Sequence, residues 1–127
     1  MKYVSVVALL VAGLIHLLPV SGVTGAAALT RMYGVEILDP NISILLQHRA
    51  LLFAVLALLM FGAIAVPSIR VTVLTVALFS AASFIAVALS VGNYNSAIAR
   101  VVTADVIASI LLAAGLIAEL WLAQQSA

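Results

Sequence analysis

The chain has 127 residues, of which 67% are hydrophobic and 7% charged, with a net charge of +1 and no cysteine. A soluble domain is typically about 45–50% apolar and about 25% charged, so so few charges cannot cover a water-facing surface, and disorder would need the opposite composition. The sequence therefore predicts an integral membrane protein of one domain, without disulfides, thiolate chemistry or sulfur-ligated metal, and without the basic footprint of a nucleic-acid binder.

Four apolar stretches follow one another, at about residues 3–20, 40–66, 68–91 and 96–123. A helix needs roughly 20 residues to cross about 30 Å of hydrocarbon, and no stretch alternates with the period of a barrel strand. The first is bounded by Pro19 and the Ser21-Gly22 pair. Lys2, the apolar run and Ala26-Ala27-Ala28 superficially fit a signal peptide, but the run exceeds the usual roughly 7–15-residue core and carries His16, so the span is expected to be retained. The loop that follows contains a segment from Gly25 to Tyr33 suited to a short interfacial helix ending at Gly34, and Asp39-Pro40 reads as N-cap and first residue of the second long helix. Spans two and three are separated only by Pro67-Ser68-Ile69-Arg70, which makes an antiparallel hairpin. Gly92-Asn93-Tyr94-Asn95-Ser96 closes a second one, with Gly92 at a helix C′ position and Asn95 or Ser96 as N-cap. The predicted fold is all-α, an integral membrane up-down-up-down four-helix bundle. Lys2 and Arg70 on one side against Arg31 on the other favour cytoplasmic N- and C-termini.

Polar residues inside the spans carry the functional signal. At about 1.5 Å per residue, His16 lies roughly 6 Å inside the end of span one, His48 and Arg49 roughly 9–10 Å inside the start of span two, and Arg100 and Asp105 roughly 6 and 13 Å beyond a start near Ser96. In an up-down bundle these ends share one leaflet, beside the first and third loops. Buried ionisable groups are costly and usually face the interior in pairs. Arg49 and Asp105 are the expected interhelical pair, because Arg100 and Asp105 are five apart and do not stack. The expected ligand site comprises His16, His48, Arg49, Arg100 and Asp105, with Asn93 and Tyr94 near its mouth. This cation-rich set suits an anionic or carbonyl-bearing amphiphile, or a lipid headgroup, entering from the loop side.

Each residue also has a plainer reading. His16 suits a hydrogen-bonded interfacial histidine, Arg49 and Arg100 can snorkel, and Asp105 can be an ion pair that holds helices together. Tyr3, Tyr94 and Trp121 fit aromatic belts. His48 and Arg49 point about 100° apart on one helix, so one of them is expected to flank the cavity or face a neighbouring subunit. An accessory role in a larger membrane complex or a homo-oligomer is the non-binding form of this expectation. Enzyme chemistry with Asp105 or His48 as general base is an alternative. No cofactor is called for, although His16 and His48 at similar depth leave a bis-histidine haem geometrically open. A Gly-rich phosphate loop, H-E-x-x-H and Gly-x-Ser-x-Gly are all absent.

The strings Gly13-Leu-Ile-His-Leu-Leu-Pro19, Tyr33-Gly-Val, Leu45-Leu-Gln-His-Arg-Ala50, Gly92-Asn-Tyr-Asn and Arg100-Val-Val-Thr-Ala-Asp105 together resemble a family of small bacterial four-helix inner-membrane proteins, broadly DoxX-like in size and layout. The resemblance spans nearly the whole chain and implies a membrane subunit beside a quinone-linked oxidoreductase. Members often carry the name phosphopantetheine adenylyltransferase, but this chain has neither the His-x-Gly-His signature nor a phosphate cradle.

Overall fold

The computed structural model describes all 127 residues. Four long helices, α1 (Lys2–Leu17), α3 (Pro40–Ala65), α4 (Arg70–Val91) and α5 (Ser96–Gln125), are joined by short connections, with one small helix, α2 (Ala26–Tyr33), in the first loop. A 3₁₀ segment over Leu18–Thr24 carries span one onward to 23 residues; the other three spans are 25 to 30 residues long. All four are long and apolar enough to cross a membrane. Pro19 therefore tightens the helix where a stop is expected, since its missing N–H and fixed φ are tolerated in the first turn of the 3₁₀ segment.

The boundaries follow local chemistry. Asp39 caps α3, its carboxylate accepting from the Asn41 N–H at 2.8 Å, with Pro40 at the first helical position. Gly34 ends α2 in the left-handed region at φ 67°, which a residue without Cβ adopts cheaply. At the end of α3, Pro67 has no N–H to give the Ala63 carbonyl four residues earlier. Arg70 fills the deficit: its Nε donates to the Ala63 carbonyl at 2.9 Å and its Nη2 to that of Ile64 at 2.7 Å. A guanidinium there also opposes the negative end of the α3 dipole. The same side chain pairs with Glu119 of α5 at 3.6 Å, and Glu119 accepts a hydrogen bond from Ser5 of α1.

That polar clamp places both termini and the α3–α4 turn at one end of the bundle. The first and third loops meet at the other end, where Asn95 Nδ2 donates to the Tyr33 carbonyl at 2.8 Å. The topology is thus up-down-up-down. The core, built on Leu9, Met60, Leu74 and Leu112 with alanines between them, sits where α1, α3, α4 and α5 converge. Most other large apolar side chains point outward, as a bilayer demands. Helix α1 packs closely on α5 at Gly115, where an added Cβ would stand 3.0 Å from that of Ala8 and 3.2 Å from the Ser5 Cα. Helices α3 and α4, although consecutive, pack against each other least of the neighbouring long pairs, leaving a groove between them.

Candidate functional site

His16 occupies the last turn of α1 and is 2% exposed. Its Nδ1 lies 2.8 Å from the Ala12 carbonyl. A carbonyl only accepts, so Nδ1 carries a proton, and in the neutral imidazole Nε2 is left as a lone-pair acceptor. Nε2 is buried and has no partner. The edge of Phe53, its ring centroid 5.5 Å away at an interplanar angle of 60°, holds the imidazole plane.

The ring borders a cavity of about 230 Å³ at the loop end of the bundle. Helix α5 contributes Arg100 and Asp105 to it, α2 contributes Met32 and Tyr33, α3 contributes Phe53, and Leu18 and Pro19 come from the 3₁₀ segment. Asp105 is 6% exposed and has no cation at ion-pair distance; the only ion pair in the molecule joins Arg70 to Glu119. Arg100 is exposed and stands at the rim. A mostly apolar hollow with a few converging polar groups is the ordinary form of a ligand site. Its lining brings together His16, the carboxyl-bearing Asp105 and Arg100.

The other expected residues are placed differently. Arg49 does not close on Asp105. Its Nη1 donates to Tyr33 Oη at 2.7 Å, and the guanidinium sits 4.6, 5.0 and 5.5 Å from the ring centres of Phe53, Phe84 and Tyr33. Three aromatic faces and a phenol oxygen thus take the place of the carboxylate. Tyr33 and Phe53 border the His16 cavity as well, so the two rings are shared between the surroundings of Arg49 and that cavity. His48 is exposed and does not border the cavity, and the two histidines do not face each other across it. Asn93 and Tyr94 are exposed too; Tyr94 borders a separate groove beside Phe84, Val91 and Ile98. Neighbouring Asn95 is the loop residue that matters here, capping α5 through the Ile98 N–H at 2.8 Å while its amide fixes the end of α2. No group of three histidine, aspartate or glutamate side chains is arranged to hold a metal ion.

Sequence reasoning missed Tyr33, Phe53 and Phe84 as site elements. Phe53 was the accessible one, because it follows Arg49 by four residues on the same helix face. Comparison with known proteins gives no match: no family model, no curated protein and no solved structure is similar to the chain.

Proposed function

We propose that this membrane protein binds the polar head of a small amphiphile in the cavity between His16 and Asp105, with the apolar tail directed to the bilayer. One observation carries this reading: a buried Nε2 without a partner, on a histidine that borders a hollow. An unsatisfied buried acceptor costs about 1–3 kcal/mol, and a donor on a ligand recovers that energy. The matching head carries a hydroxyl or comparable donor, directed at Nε2, with Asp105 beside it and Arg100 at the rim. Ile15, Leu18, Met32 and Phe53 would cover its apolar part. Lys2 and Arg70 at the clamp end against Arg31 at the loop end support cytoplasmic termini with the cavity opening on the far side.

The test is equilibrium binding of radiolabelled long-chain alcohols, alkylphenols and fatty acids to the purified chain in neutral detergent. Saturable binding is expected, weakened at least about tenfold by His16→Phe, which removes the acceptor. Absence of saturable binding, or equal affinity in the variant, overturns the reading; the cavity then holds only ordered water.

A further inference from the structure

We infer a second site, in which Arg49 holds the phosphate of an anionic phospholipid at the head of the groove between α3 and α4. Of the five N–H donors on this guanidinium, one is bonded, to Tyr33 Oη. The neighbouring groups are aromatic faces, and no carboxylate stands within ion-pair distance of the guanidinium. A cation in a membrane span without an anion at contact distance is costly. The chain does not provide that anion.

The surroundings say where it comes from. Arg49 and Phe84 border two hollows at once. One, about 260 Å³, lies toward the loop end against Val35, Leu46 and Ile98. The other, about 330 Å³, runs along the α3–α4 groove past Leu52, Leu56, Ser80 and Val87. A charged donor between a hollow near the headgroup level and an apolar groove below it matches one molecule, a phosphate with its acyl chain. The depth agrees. From Arg49 to Ala65 the helix rises about 24 Å, against about 30 Å of hydrocarbon, and the side chain reaches further toward the loop end by snorkelling. The groove is open to lipid because α3 and α4 pack against each other least, so the chain needs no opening motion to admit an acyl chain.

The experiment is native mass spectrometry of the full chain released from phosphatidylcholine nanodiscs doped with phosphatidylglycerol. The parent chain is expected to retain phosphatidylglycerol at least about tenfold over phosphatidylcholine, the size of a charge-assisted contact. Arg49→Gln brings retention down to the phosphatidylcholine level, Lys2→Gln leaves it unchanged, and excess inorganic phosphate does not displace the lipid. Leu52→Trp, which fills the groove and keeps the guanidinium, also lowers retention; it decides alone should Arg49→Gln lose helicity. Excess long-chain alcohol, the probe of the cavity, does not displace the lipid, so failure here is distinct from failure of the cavity reading. Equal retention of the two lipids by the parent, undiminished retention in a helical Arg49→Gln or in Leu52→Trp, or displacement by inorganic phosphate overturns the assignment.

Discussion

Replacing Arg70 with methionine tests the clamp that closes the bundle at its terminal end. The thioether keeps most of the stem packing and removes three contacts: the bonds to the Ala63 and Ile64 carbonyls at 2.9 and 2.7 Å and the ion pair with Glu119 at 3.6 Å. Hydrogen bonds from a charged group contribute about 1.5–3 kcal/mol each. The ion pair, with both side chains about 15% exposed, adds up to about 1 kcal/mol. One side chain makes all three contacts, so they do not add, and water at the membrane surface rehydrates the helix end. We therefore expect Arg70→Met to cost about 2–3 kcal/mol in detergent-titrated unfolding followed by far-ultraviolet circular dichroism, below the roughly 3–7 kcal/mol that simple addition would give. Arg70→Lys cannot span both carbonyls and should cost roughly half as much. Glu119→Gln should cost about 1 kcal/mol in the parent chain and almost nothing when Arg70 is already methionine, because the partner is gone. An Arg70→Met chain within about 0.5 kcal/mol of the parent, a margin typical of surface changes, refutes the clamp.

Other consequences are open to simpler measurements. Gly115→Val should destabilise the bundle by about 1–3 kcal/mol, since Ser5, Ala8 and Leu74 already stand within 3.2 Å of an added Cβ; the same unfolding titration measures it. Asn95→Ala removes an N-cap and the tie to Tyr33, and should cost about 1–2 kcal/mol. Reporter fusions at the two termini should land on one face of the membrane, and opposite faces would disprove the up-down-up-down topology. A double-mutant cycle on Arg49→Gln and Asp105→Asn should return a coupling below about 1 kcal/mol, because Arg49 bonds Tyr33 instead; coupling above about 2 kcal/mol would restore a direct pair.

Most of the fold that depends on one-dimensional pattern was readable, the exception being the 3₁₀ continuation of span one past Pro19. Span count, hairpin order, the Asp39-Pro40 start of α3 and a cap of α5 at Asn95 or Ser96 all follow from apolar run length and cap chemistry, and the structure selects Asn95. Helix depth was readable too, and His16, Arg100 and Asp105, set at similar depth by it, border one cavity. Azimuth was not. His48 and Arg49 are neighbours in sequence and differ by about 100° around the helix, and nothing in a run of leucine and alanine says which faces the bundle. With apolar residues on every side of a membrane helix, the amphipathic stripe that would orient a soluble helix is missing.

Partner choice is the deeper limit, because a buried cation accepts more than one kind of neighbour. Pairing Arg49 with Asp105 assumes that opposite charges at equal depth must meet. A phenol oxygen takes one N–H of the guanidinium and three aromatic rings surround it, and they come from α2, α3 and α4. Tyr33 is available for this only because Asn95, 62 residues later, holds the carbonyl at the end of α2. No local pattern encodes that. Arg70 shows the opposite case. Pro67 deprives the carbonyl four residues before it of its donor, and a guanidinium three residues beyond Pro67 lies within reach of the vacancy, so the pairing was present in the sequence as an obligation of the backbone. Counting Arg70 only as a positive charge on one side of the membrane overlooked that obligation. Where a polar residue answers a defect in the main chain its partner can be deduced from sequence; where it answers another side chain, the partner depends on how the helices turn.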